Sequence, residues 1–190
     1  TFTAGSGIGK SEFCREVAYH LLAHQDAKVG YIALEESVRR TALGLMSKAV
    51  NKPLHVECLL EQKDLKELFD RVCGDRVFFY DHFGSLDSDN LLAKIRYMAK
   101  ALDCKFIFLD HISIVVSGLE GGDERRIIDN LMTKLASLVH ELDIGIVAVS
   151  HLRRPPGEAH EEGGRTSMSQ LRGSSSIGQL SNTIIGMERN

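Results

Sequence analysis

Ala4-Gly5-Ser6-Gly7-Ile8-Gly9-Lys10-Ser11 is the stretch that decides how this chain folds. It fits the relaxed phosphate-loop pattern, with Ala4 standing where the strict pattern has its first glycine; a small residue there still permits the turn. Gly5, Gly7 and Gly9 let the backbone take positive φ and come close to an anion. Lys10 is placed to reach β and γ phosphates, and the Ser11 hydroxyl to ligate Mg²⁺. Downstream, Phe13, Val17 and Leu21 recur at helical spacing, with Cys14, Ala18 and Leu22 beside them. The loop therefore opens an amphipathic helix whose N-terminal dipole favours phosphate. Upstream, Thr1-Phe2-Thr3 reads as the tail of the strand that feeds such a loop, and the beginning of that strand is expected to be missing.

Working outward, strands and helices alternate. Val29 to Leu34, Val77 to Tyr80, Phe106 to Leu109 and Ile144 to Val149 read as strands; Ser37 to Ala49, Asp64 to Val72 and Asn90 to Ala101 as helices. Ile127, Leu131, Leu135, Leu138 and Leu142 mark a further long helix, and Ile184 to Met187 a last strand. This order predicts an α/β fold, a mostly parallel β-sheet with helices on both faces, and ligands at the carboxyl ends of the strands. With 190 residues, 43% of them hydrophobic and 26% charged, the chain suits one domain over residues 1–190. No apolar run is long enough to span a bilayer, and no membrane partner is expected. Cys14, Cys58, Cys73 and Cys104 show neither C-x-x-C pairing nor metal spacing, which reads as reduced thiols in a cytoplasmic protein. A net charge of −3 argues against a basic nucleic-acid-coating surface, so any nucleic-acid contact is concentrated in a patch.

Polar residues cluster where strands end. Phe106-Ile107-Phe108-Leu109 runs into Asp110, the apolar strand and aspartate of a Walker B motif, where the carboxylate holds the Mg²⁺ shell through water or Ser11. Glu35 follows Tyr31-Ile32-Ala33-Leu34. A carboxylate there suits polarising a water for attack on a γ phosphate; the spacing equally suits Glu35 and Glu36 as caps of the helix starting near Ser37. His151 ends the strand that runs to Ser150, as a γ-phosphate contact or as a structural histidine. The loop from Leu152 to Thr166 carries Arg153 and Arg154 among glycines, prolines and glutamates: a mobile segment gripping a phosphodiester backbone, or a solvated loop. Leu171-Arg172-Gly173-Ser174-Ser175-Ser176 is a turn at a helix start, either binding phosphate or capping through Gln179. Ile112 to Glu124, with Ser117-Gly118 and Gly121-Gly122, is expected to be a flexible loop.

These motifs taken together resemble a family. G-S-G-I-G-K-S, L-E-E-S at Leu34 to Ser37, L-D-H-I-S-I-V-V-S at Leu109 to Ser117, D-E-R-R-I-I-D-N-L-M-T-K-L at Asp123 to Leu135, A-H-E-E-G at Ala159 to Gly163, L-R-G-S at Leu171 to Ser174 and I-I-G-M-E-R-N at Ile184 to Asn190 look like the helicase domain of the primase-helicase of T-seven-like phages. That family is related to Twinkle and the bacterial replicative helicases, and the similarity runs nearly end to end.

The resemblance implies a RecA-like P-loop NTPase, usually a hexameric ring of identical subunits. Such a ring hydrolyses ATP or dTTP with Mg²⁺ at subunit interfaces while moving along single-stranded DNA, with a primase domain in the same polypeptide. Matched by motif, Gly5, Ser6, Gly7, Ile8, Gly9, Lys10, Ser11 and Glu12 bind nucleotide, and Arg189 packs against its base. Ser11 and Asp110 hold the metal, Lys10 contacts the reacting phosphate, Glu35 is the catalytic base and His151 senses the γ phosphate. Arg153, Arg154, Arg172 and Gly173 fall in the DNA-binding loops. The family carries several lysines after that histidine, whereas this chain has Arg153-Arg154-Pro155-Pro156 and then Glu158. The arginine finger given by a neighbouring subunit lies downstream of the part matching Ile184 to Asn190, so the 190-residue chain alone is expected to turn nucleotide over slowly. A RecA-type recombinase or other ATP-dependent DNA scaffold shares the same core and stands as the alternative. A small-molecule kinase fits less well, since Glu35 suits water as acceptor and no arginine-rich lid is visible.

Overall fold

Every residue from Val29 to Ala33 is buried, the mark of a parallel strand covered on both faces. The structure, a computed structural model, describes residues 1–82, 84, 86–116, 124–153, 159–162, 164–171 and 175–188. In order it forms β1 (Phe2–Ala4), α1 (Lys10–His24), β2 (Val29–Ala33), α2 (Val38–Val50), α3 (Gln62–Val72), β3 (Val77–Phe79), α4 (Ser88–Ala101), β4 (Phe106–Asp110), α5 (Ile112–Val116), α6 (Glu124–Leu142), β5 (Gly145–His151), α7 (Ser176–Leu180) and β6 (Ile185–Met187). Two 3₁₀ turns, His160–Glu162 and Met168–Gln170, lie between β5 and α7.

The six strands make one sheet in the order β3-β2-β4-β5-β1-β6, and each neighbouring pair runs parallel. Alternate residues of each strand feed opposite cores, because side chains on a strand repeat with period two. Tyr31, Ala33 and Phe108 enter the core shared with α1, α2 and α3, while Ile32, Leu34, Ile107 and Leu109 enter the core shared with α4, α5 and α6. Tyr31 and Phe108 stack on the first of these faces with ring centroids 5.3 Å apart.

Two expectations change. The stretch after β4 begins as the helix α5, with Ile112 and Val115 buried, rather than as a loop; residues 117–123 lie outside the described residues. In α1 the buried face is Cys14, Arg15, Ala18, Leu21 and Leu22. Phe13 sits at its margin, 37% exposed and edge-on to Phe2 with centroids 4.9 Å apart. The charged Arg15 takes the inward place because it has acidic partners there, described below.

Among the described residues no helix is long and apolar enough to cross a membrane. The four cysteines are free thiols; Cys14, Cys73 and Cys104 are buried and Cys58 is half-buried. Burial pushes the Cys14 and Cys73 thiols up to about 12 and Cys104 up to about 11, so these three stay protonated and shielded at neutral pH. A thiol reagent applied to the folded domain at pH 8 is therefore expected to modify Cys58 rapidly, and all four only after denaturation. Fast modification of more than one thiol in the native state would contradict the packing of these residues.

Candidate nucleotide and catalytic site

The register of the sheet gathers the chemistry. Ala4 at the end of β1 lies opposite His151 at the end of β5, and Ala33 at the end of β2 lies opposite Asp110 at the end of β4. The Leu34 amide donates to the Asp110 carbonyl at 2.8 Å, which fixes the start of the Glu35-Glu36 segment against the Walker B strand. Four strand ends therefore face one cleft of about 460 Å³, lined by the phosphate loop, Glu35, Glu36, Asp110 and His151, with Arg15, Arg40 and His55 at its side.

Within the loop, Gly7 (φ 70°) and Gly9 (φ 104°) take the left-handed backbone that side chains resist. Gly9 is the N-cap residue of α1 and brings no side chain to cap the first turn, leaving the opening amides of the helix for an anion. The buried Lys10 donates through Nζ to the carbonyls of Ala4 (3.1 Å) and Gly5 (2.8 Å), so its ammonium lies across the cup of the loop. Ser11 Oγ donates to Asp110 Oδ2 at 2.5 Å, which unites the phosphate loop and the Walker B aspartate across 99 positions of sequence.

Asp110 is 7% exposed, and burial raises its carboxyl above the usual range, only partly offset by the Ser11 bond. A buried carboxylate beside a hydroxyl is a hard-oxygen donor set, and neutralising its charge relieves the cost of burial; both properties fit Mg²⁺. Ser11 and Asp110 would hold the ion.

The two glutamates after β2 part company. Glu35 turns toward the sheet, its Oε1 2.8 Å from His111 Nε2, and the His111 ring lies edge-on to His151 with centroids 4.0 Å apart. Donor atoms of Glu35, His111 and His151 all fall within 4.8 Å of one another. Glu36 instead accepts from Arg15 Nη2 at 2.5 and 2.6 Å and from Thr41 Oγ1 at 2.7 Å. The helix cap is neither glutamate: Ser37 Oγ accepts from the Arg40 amide at 3.3 Å. Glu12 lines the cleft, yet its carboxylate engages Arg15, Lys48 (2.7 Å) and His55 (3.4 Å). Burial acts to raise its pKa, but the Lys48 hydrogen bond and the charges of Arg15, Lys48 and His55 outweigh it and hold the group below its ordinary value.

Neither His111 nor Arg15 stands out in the sequence as a site residue. His111 was visible as the residue after Asp110, whereas nothing in the local pattern tells that Arg15, five residues after Lys10, faces Glu36 from a neighbouring element. Directly after His151, Leu152 forms an antiparallel bridge with Leu171, and the Arg153 amide donates to the Gln170 carbonyl at 2.7 Å. The starts of the two expected DNA-binding segments therefore lie side by side, with Arg153 exposed. Arg154, Arg172, Gly173 and Arg189 lie outside the described residues.

A parallel sheet with a phosphate loop after its first strand, a Walker B aspartate and a glutamate at the next strand ends defines a RecA-like P-loop domain. The sequence pattern of the DnaB-like helicase C-terminal domain matches residues 1–190, and the chain belongs to that family. It is 42% identical over 197 residues to the DNA helicase/primase of Enterobacteria phage T3, covering 99% of this chain and 34% of that protein. A DnaB-like replicative helicase studied for its interactions with primase superposes with a TM-score of 0.78 at 17% identity, over 100% of this chain and 47% of that one. A second solved structure, of an ATPase domain, superposes at 0.77 and 16% identity, over 99% of this chain and 68% of that one. The chain thus spans about a third of the phage protein's length.

The Arg15 side chain is 4% exposed and that of Glu36 15%, so removing the guanidinium leaves a largely desolvated carboxylate with Thr41 and the exposed Arg40 as remaining partners. Arg15→Ala is expected to destabilise the domain by about 3 kcal/mol, the low end of the range for breaking a buried pair. Gly44→Ala acts on the same group, because a Cβ there would stand 2.5 Å from Arg15 Nε. Denaturant unfolding checks both; an Arg15→Ala midpoint equal to the parent's would show that the pair adds nothing.

Proposed function

We propose that this domain is the motor of a replicative DNA helicase, binding a nucleoside triphosphate with Mg²⁺ in the phosphate-loop cleft and hydrolysing it. The observation that carries this reading is the convergence of Lys10, the Ser11–Asp110 contact and Glu35 on one cleft. The loop amides and Lys10 bind the β and γ phosphates and counter charge that builds during transfer. Ser11 and Asp110 would hold Mg²⁺, which would supply positive charge to offset that of the phosphates. Glu35, with its side chain 56% exposed, accepts a proton from a water aligned for in-line attack. His151, at the end of the strand next to the phosphate loop, contacts the γ phosphate and reports its loss to the segment beginning at Leu152.

In the whole protein, copies of the domain assemble as a hexameric ring around single-stranded DNA, with the bound strand near Arg153, Arg154, Arg172 and Gly173. A primase domain sits in the same polypeptide, and Arg189 packs against the base of ATP or dTTP. The protein works in the cytoplasm of the host cell. The phage helicase/primase relative and the DnaB-like family support this reading over a recombinase scaffold.

In the full-length protein, Lys10→Ala is expected to lose nucleotide binding or hydrolysis, because the phosphates lose their fixed cation. Unchanged affinity and turnover would remove Lys10 from the site. Glu35→Gln is expected to keep nucleotide affinity while turnover falls by about 10²-fold or more, since an amide cannot accept the proton. Parental turnover in that variant, or failure of the parent to unwind a forked duplex, would overturn the reading.

A further inference from the structure

His111 sits at the end of β4 directly after Asp110, its side chain 7% exposed, beneath a Glu35 carboxylate that is mostly open to solvent. An ionised carboxylate only accepts hydrogen bonds, so in their 2.8 Å contact the proton belongs to His111 Nε2. The ring's other nitrogen, Nδ1, is buried without a hydrogen-bond partner among the described residues, so the Glu35 contact is the ring's polar anchor there. Buried Ile112 follows directly in α5, and the His151 ring braces the imidazole from the side. A rigid, packed donor thus holds one oxygen of a flexible side chain.

We propose that His111 is the positioning residue of the hydrolytic centre, fixing Oε1 of Glu35 so that Oε2 is presented to the attacking water, while its ring sets His151 at a constant distance from that base. The three groups come from the ends of β2, β4 and β5, so His111 ties the base to the γ-phosphate contact as one unit. An unheld glutamate at an exposed strand end samples several rotamers, and a base misplaced by an ångström loses rate without losing substrate affinity. This inference rests on the NTPase reading above.

The test is steady-state NTP hydrolysis by the full-length protein carrying His111→Ala, His111→Gln or Glu35→Gln, with unfolding midpoints recorded alongside. His111→Ala is expected to lower kcat by about 10- to 100-fold, the usual cost of losing a group that orients a catalytic one, with KM within about twofold of the parent. His111→Gln, whose Nε2–H can still donate to Glu35, is expected to recover most of the loss. The double variant Glu35→Gln with His111→Ala should turn over no more slowly than Glu35→Gln alone, because His111 acts through Glu35. Parental kcat in His111→Ala, a folded glutamine variant as slow as the alanine one, or additive losses in the double variant would overturn the inference. Should the unfolding midpoint of His111→Ala collapse, His111→Leu, which fills the buried space without a donor, takes its place, and parental kcat in that folded variant would overturn the inference. Parental turnover in Glu35→Gln would instead sink the NTPase assignment of Glu35 itself.

Discussion

The bond from Ser11 Oγ to Asp110 is the contact on which the rest of this domain is organised. One partner opens α1 and the other closes β4, so the bond can form only if α1 starts just beyond β1 and β4 ends level with it. The parallel register supplies that alignment, and the sheet order places β5 between β4 and β1 so that His151 arrives at the same height. Shifting any strand by one residue would also turn its apolar face into the wrong core, so hydrophobic packing and site geometry enforce the same register.

A second layer of charge keeps the glutamate pair sorted. Arg15 reaches from α1 to hold Glu36, and Thr41 binds the same carboxylate from α2, so the strand end after β2 is clamped between two helices. With Glu36 committed to that clamp, Glu35 is left to face the cleft. Gly44 gives the guanidinium its room, and a side chain in its place would push Arg15 away from its partners. Adjacent residues of the same type thus take different partners, Arg15 for Glu36 and His111 for Glu35.

Much of this was legible in the sequence, and the failures have physical causes. The strands were readable because a doubly covered parallel sheet demands nearly unbroken apolar runs, as at Tyr31-Ile32-Ala33-Leu34. The glycine-rich loop and Asp110 stand out because each forms a local pattern, and the fold brings the two together. Helix α5 was not: Ile112-Ser113-Ile114-Val115-Val116 is β-branched and poor in helix propensity, and it is helical because Ile112 and Val115 are buried between neighbouring elements. Arg15 and His111 escaped notice for a related reason, since their importance comes from partners 21 and 76 positions away. Glu35 and Glu36 were ambiguous for the same reason, and the long-range contacts separate them.

The bridge between Leu152 and Leu171 begins one residue beyond the cleft. Leu152 follows His151 by a single peptide bond, and its pairing with Leu171 clasps the segments that lead toward Arg154 and Arg172. The residue after His151 is thereby paired with a second stretch of chain, so the two stretches leave this point tied to each other.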